Sequence, residues 1–260
     1  MAIWPMSCEA VESFLLIFIR VSVILFMLPF FSARIVPILV KAGFSLIITI
    51  ILFPVINKHI PALPGSLWGM VQLVGGEFIV GMILGLTIQL FFEGVRMMGE
   101  FVGFQTGFAI ANILDPQSGT QVSLLGNMAY LSALTLFLLL NGHHVLLKGL
   151  RESFEIVNLG SLSINRQILQ QIMHASGDMF LIALKIGAPA IAVLLLTNVA
   201  FGLITKLIPQ MNIMIVAFPV QIVIGLLFFA ISLSVLLRFM EKYLFDLGPL
   251  LISLMAQVKG

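Results

Sequence analysis

Charge is scarce in this chain. Of 260 residues, 13 are Lys or Arg and 11 are Asp or Glu, together 9%, against about 25% in an ordinary soluble domain. A soluble fold of this size cannot hide the 60% of residues that are hydrophobic, so composition points to an integral membrane protein. Neither sign of charge is concentrated: the net charge is +2, with no basic run suited to nucleic acid. Cysteine is nearly absent, and the single Cys8 excludes an internal disulfide and a thiolate metal cluster. Also missing are a Walker loop, a dinucleotide fingerprint and a Ser/His/Asp set on a nucleophile elbow. An enzyme and a bound cofactor are therefore not expected. Glu9 and Glu12 stand where a cleaved leader would carry Lys or Arg, and no small-residue cleavage site follows. Insertion is expected to use the internal helices.

What is present is a succession of apolar segments. Residues 13–31 form the first, interrupted by Arg20 and closed near Pro29, and residues 42–57 form a short second one. Pro61 and Pro64 mark a turn. Residues 67–92 form a long segment holding Glu77 and a Gly81-xxx-Gly85 pair, with Glu93, Arg96 and Glu100 as its expected polar end. From Pro116 to Leu147 there is no charged residue, which predicts a helix over 122–140. Ile164, Ile168, Leu169, Ile172 and Met173 oppose Arg166, Gln170, Gln171 and His174 on a helical wheel, which predicts a short amphipathic helix. Residues 179–205 and 212–237 are two long apolar helices, kinked at Pro189 and Pro219 and folded into a hairpin with Pro209, Gln210, Met211 and Asn212 at its tip. Residues 243–255 are apolar but too short to cross a core of about 30 Å. Basic residues are spread over nearly every connection, so the orientation rule gives no side. Apolar helices that bury against partner proteins would explain this. The expected fold is an all-α membrane protein of helical hairpins.

The most informative pattern is Gly99, Gly103, Gly107 and Ala111, four residues apart and running into Asp115 and Pro116. Residues at that spacing share one helix face, and small ones let another backbone approach closely. Each Gly also costs a helix roughly 1 kcal/mol relative to Ala. With Phe104 and Phe108 beside it, the segment reads either as a moving or sealing part or as a tight helix contact without motion.

Arg20, Glu77, Asp178 and Lys185 interrupt or border apolar segments. A charge at the bilayer centre costs about 2.5–3.5 kcal/mol even on a lenient scale, so such groups face protein, water or a counter-charge. They fit an ion path, or ion pairs between helices or between subunits. Four separated sites without an acidic or His relay favour pairing. His143 and His144 follow Asn141-Gly142, but no Asp, Glu or Cys nearby completes a ligand set and adjacent residues point to different helix faces. No metal is expected.

Three stretches carry a family resemblance. The run Gly103-Phe-Gln-Thr-Gly-Phe-Ala-Ile-Ala-Asn-Ile-Leu-Asp-Pro116 resembles the central segment of the FliR family of flagellar export-gate proteins, and Phe137-Leu-Leu-Leu-Asn-Gly-His-His144 resembles another part of it. The most specific is Leu194-Leu-Leu-Thr-Asn-Val-Ala-Phe-Gly-Leu-Ile-Thr-Lys-Leu-Ile-Pro-Gln-Met-Asn212, followed by Phe218-Pro219. The injectisome counterparts share the fold; the flagellar branch is closer in the Asn-Gly-His and Pro-Gln-Met-Asn stretches.

The resemblance implies a subunit of the type III secretion export gate in the bacterial inner membrane, at the flagellar basal body. One such chain would assemble with several copies of FliP and FliQ into a closed helical complex, with FlhB on its outside. Residues 1–178 would be the FliP-like part and 179–260 the FliQ-like hairpin and tail. The plug, within about 99–119, would use Gly103, Phe104, Gly107, Phe108, Ile110, Ile113, Asp115 and Pro116. Its apolar side chains could block and dewet a narrow channel. Gly81, Gly85, Gly99 and Ala111 would serve helix packing. The cargo would be an unfolded polypeptide, moved without covalent chemistry. Two other classes compete with this reading: a secondary transporter, which would call for inverted repeats that are not evident, and a membrane enzyme with His143 and His144 at a metal.

Overall fold

A computed structural model describes residues 8–32, 36–56, 66–107, 123–161, 166–210 and 212–258. All secondary structure among them is helical. In chain order the helices are α1 (Cys8–Met27), α2 (Pro29–Ser32), α3 (Ile38–Ile56), α4 (Leu67–Gln105), α5 (Leu124–Leu139), α6 (Gly142–Ile156), α7 (Arg166–Leu207) and α8 (Ile213–Val258). Five of them, α1, α3, α4, α7 and α8, are long and apolar enough to cross a membrane. The all-α membrane architecture expected from composition is therefore present.

Several boundaries differ from the sequence expectation. The cluster Glu93, Arg96 and Glu100 does not end a helix, because α4 runs through it for 39 residues. The reason is local: Arg96 lies 3.7 Å from Glu93 and 3.8 Å from Glu100, one turn away on either side. Such pairs lie on one helix surface and support the helix. The amphipathic stretch 164–174 is not a separate helix. From Arg166 it forms the first turns of α7, which continues for 42 residues with Pro189 inside. Residues 243–255 likewise belong to α8, 46 residues long. At 1.5 Å per residue α4, α7 and α8 span about 58–69 Å, roughly twice a hydrocarbon core. α3 begins earlier than expected, at Ile38, and its 19 residues match one core thickness.

The described residues gather into two compact units, each assembled from separate stretches of chain. Unit 1 comprises 1–89, 141–175 and 244–260. Within it α1 and α3 pack antiparallel: Phe14 meets Phe53 at 5.7 Å between ring centroids, and Lys41 sits 5.9 Å from the ring of Phe26. The inward face of α1 is Ile17, Val21, Ile24 and Leu25, at helical spacing. Leu146, Leu150 and Phe154 of α6 join the same core, as do Leu247, Leu251 and Leu254 of α8.

Unit 2 comprises 90–140 and 176–243. Its core takes Leu125, Ala129, Ala133 and Phe137 from α5, one residue every four. Ser123 starts α5, its hydroxyl accepting from the Gly126 N–H at 3.1 Å. Phe92 stands edge-on to Phe137 at 5.5 Å, and Phe91 stacks on Tyr243 at 3.8 Å. Ala183, Ile186, Ala190 and Leu194 form the buried stripe of α7. Further along that helix Leu195, Leu196, Val199 and Leu203 are exposed, an apolar surface that lipid or another chain must cover.

Candidate functional site

The glycine segment closes α4 in unit 2. Gly99 lies against the backbone of α5: a β-carbon there would overlap the carbonyl of Leu125 and lie 2.7 Å from the Gly126 α-carbon. Backbone cannot yield as a flexible side chain can, so only Gly fits. Gly126 answers from the other side, where a β-carbon would come within 2.9 Å of Glu100 Cγ and 3.3 Å of the Arg96 carbonyl oxygen. Gly103 is buried but less confined, with Ser123 Oγ 3.2 Å from the same position.

Gly107 plays a different part. The spacing suggests that Gly99, Gly103, Gly107 and Ala111 share one helix face, but α4 stops at Gln105 and Gly107 has a φ of +81°. A left-handed residue just past a helix end is the usual glycine stop. The ring of Phe218 lies 2.9 Å from where a Gly107 β-carbon would be. One residue earlier the Thr106 methyl presses on Gly225 so closely that a β-carbon at Gly225 would overlap it. Thr106 is fully buried and its hydroxyl donates to the Gly103 carbonyl at 3.1 Å. The last turn of α4 is thus held from two directions, by the start of α5 and by residues 218–225 of α8. Phe104, by contrast, is 73% exposed. Phe108, Ile110, Ala111, Ile113, Asp115 and Pro116 lie outside the described residues.

Unit 1 contains a buried charge centre. Arg20 is fully buried, and its Nε donates to Glu77 Oε2 at 2.5 Å. Its remaining nitrogens donate to the carbonyls of Ser153 at 3.0 Å and Val157 at 3.2 Å. These carbonyls lie at the C-terminal end of α6; that of Ser153 also accepts from the Val157 N–H at 3.0 Å, and a cation is favoured at such an end. The guanidinium also lies 4.2 Å from the centre of the Phe154 ring. Glu77 uses its second oxygen to accept from the Gly160 N–H at 2.9 Å. The pair therefore ties α1, α4 and the turn after α6 into one satisfied network, as a buried pair requires. Along the same contact, α1 fits into the Gly81 and Gly85 groove of α4. β-carbons there would come within 2.9 Å of Val23 and 2.7 Å of Met27.

Asp178 and Lys185 lie exposed on α7, and neither forms an ion pair among the described residues. Pro209, Gln210 and Asn212 are exposed in the connection from α7 to α8, with Met211 outside the description. Behind that tip Gln221 donates to Asn198 at 2.5 Å. His143 and His144 open α6 after Asn141, whose φ is +57°. Their rings are 4.2 Å apart and tilted by 37°, so the two adjacent imidazoles lie against each other. No third His, Cys, Asp or Glu joins them among the described residues.

Sequence reasoning did not single out Thr106, Gly126, Ser153, Gly160 or Gly225. Gly126 and Gly225 are isolated glycines inside apolar helices, and such glycines often mark close backbone approach. The others act through backbone atoms or a methyl, which leave no pattern.

The family model described as bacterial export proteins, family 1, matches residues 11–247. The chain is 34% identical to the flagellar biosynthetic protein FliR of Bacillus subtilis (strain 168), over 86% of its own length and 87% of the relative's. It is 30% identical to that of Escherichia coli (strain K12), covering 92% and 91%. Against that of Aquifex aeolicus (strain VF5) the identity is 27%, over 92% of each chain.

Proposed function

Because this chain belongs to the bacterial export proteins of family 1, we propose that it is a core subunit of the flagellar type III export gate. It resides in the bacterial inner membrane at the base of the flagellum. With FliP and FliQ it encloses a pore for unfolded flagellar polypeptides, and FlhB lies against the complex. One copy completes each gate. Residues 1–178 take the place of a FliP-like subunit and 179–260 that of a FliQ-like hairpin and tail. The observation that carries this reading is similarity to FliR relatives over nearly the whole length of both chains.

The plug is Phe104 to Gln117. Its root is the turn at Thr106 and Gly107. The support is physical: α4 is clamped by backbone contact at Gly99, ends at a left-handed glycine, and presents Phe104 outward. A rigid helix feeding a sharp turn fixes where the following residues begin. The subunit makes and breaks no covalent bonds; it seals, opens and guides. Exposed Asp178 and Lys185 pair with neighbouring subunits, and the apolar outer face of the hairpin packs on them.

Deleting residues 106–114 tests the plug. The gate should conduct ions in planar bilayers and make cells sensitive to salt, whereas unchanged conductance would remove the plug from this segment. Native mass spectrometry of the tagged chain from its own cells tests the assembly. One copy among several copies of two other hydrophobic proteins is expected. A reproducible bare monomer or homodimer would overturn the gate reading.

A further inference from the structure

Within unit 2, α4 packs on the α7–α8 hairpin through an apolar stripe. The stripe runs Phe91, Val95, Met98 and Val102, alternately four and three residues apart, and all four are buried. Such spacing keeps side chains on one side of a helix. Phe91 stacks on Tyr243 of α8, and Met98 lies 3.0 Å from where a β-carbon on Gly187 of α7 would be. The next place in the stripe falls on Gln105. This is the last residue of α4, just before the turn at the left-handed Gly107. Its amide oxygen is buried, and among the described residues no donor reaches it. The core stripe of α4 therefore ends in an orphaned amide at the root of the plug.

A buried polar group without a partner bears the whole cost of its lost hydration, and native cores hold few of them. Methionine or leucine would continue the stripe without that cost. Where a chain departs from its own packing pattern, function is the first explanation to test. Here the penalty falls on one conformation. While α4 stays wound to Gln105 and Gly107 turns under the Phe218 ring, the oxygen is sealed. When the plug leaves a water-filled passage, the last turn of α4 is released and the amide is hydrated. We propose that Gln105 is a gating residue, whose unpartnered amide destabilises the shut form and sets how readily the gate opens. This chain encloses the oxygen by itself, so a neighbouring subunit cannot satisfy it without moving that turn. The inference rests on the reading of Gly107 as the root of the plug.

The test is single-channel recording on the assembled complex in a background made leaky by Gly107→Ala. Adding Gln105→Met, which keeps the side chain's length and removes its amide, should lower the open probability about tenfold, the factor expected of one orphaned buried group. Gln105→Leu should act in the same direction. Ser232 of α8 supplies the control, because its hydroxyl is also buried without a partner among the described residues. It lies about two helical turns beyond Gly225, away from the plug root. Ser232→Ala should leave the open probability unchanged. With Gly107 intact, Gln105→Met and Ser232→Ala should each raise the thermal midpoint of the complex by a few degrees, so stability alone does not explain the gating effect. A leak that Gln105→Met leaves unchanged, or that Ser232→Ala reduces equally, would overturn the proposal and spare the plug. A lower midpoint in Gln105→Met would also overturn it, since the oxygen would then have a partner in the assembly. Absence of a leak in Gly107→Ala would overturn it too, because the turn would not be what holds the plug. The plug reading itself falls only if deletion of residues 106–114 also fails to conduct.

Discussion

The ring of Phe218 rests on Gly107, the residue at which the chain leaves α4 with a left-handed backbone. Any side chain at position 107 faces two separate obstacles, the φ of +81° and the ring. Gly107→Ala should therefore destabilise the turn by about 1–3 kcal/mol and raise ion leakage through the gate. Adding Phe218→Ala removes the ring but not the φ, so leakage should fall only part of the way. Single-channel recording on the three variants reads this directly, and full rescue would show that the backbone conformation is not the constraint.

Gly99 and Gly103 share a face of α4 but should differ in tolerance. Gly99→Ala forces the backbone of α5 to move, because the new carbon meets the Leu125 carbonyl. Gly103→Ala meets only the Ser123 hydroxyl at 3.2 Å. Helix propensity favours both changes by roughly 1 kcal/mol, so packing alone decides the sign. Loss of assembled complex on native gels is expected for Gly99→Ala and not for Gly103→Ala. Equal behaviour would count against the close crossing.

Arg20 and Glu77 should show strong coupling. Removing either partner leaves an unpaired buried charge, at about 3–5 kcal/mol. Arg20→Met with Glu77→Leu should recover part of that and no more. The Val157 carbonyl and the Gly160 N–H lose their side-chain partners in the double variant, while the Ser153 carbonyl keeps the Val157 N–H. Denaturation of the detergent-solubilised complex with all four forms gives the coupling energy, and simple additivity would refute a mutual pair.

Lys185 lies exposed on α7. Lys185→Glu should leave the chain's own fold intact and weaken its association with neighbouring subunits. Copurification of FliP and FliQ set against the thermal midpoint of the isolated chain separates the two effects. A fall in the midpoint with assembly unchanged would defeat the inter-subunit assignment.

Much of this architecture is readable from hydropathy because lipid selects for uninterrupted apolar helices. α1, α5 and the α7–α8 hairpin follow from apolar runs and turn residues. The misread boundaries have one cause, local charge. Glu93, Arg96 and Glu100 look like a solvated end only when their mutual pairing is left out. The Arg166 to His174 stretch looks separate only because its polar face begins a helix that later turns apolar. The glycine ladder marks a close crossing, but four-residue spacing could not reveal that Gly107 lies beyond the helix. That depends on a φ angle and on a ring 111 positions away in the sequence. Arg20 and Glu77 are legible individually as costly charges. Their union, and the carbonyls they also serve, is a matter of tertiary placement.

Unit 1 draws its core from residues 8–89, 141–175 and 244–258. A β-carbon on Gly149 would lie 2.7 Å from the side chain of Leu251. On the ribosome this imposes an order. Arg20 emerges long before Glu77, and both precede the α6 carbonyls that complete their bonds. The core then stays open until the last turns of α8 are synthesised. Only between the synthesis of Arg20 and that of Glu77 does the first helix lack its counter-charge. The first helix is thus among the earliest parts of the chain to be made and among the last to find its complete packing surface.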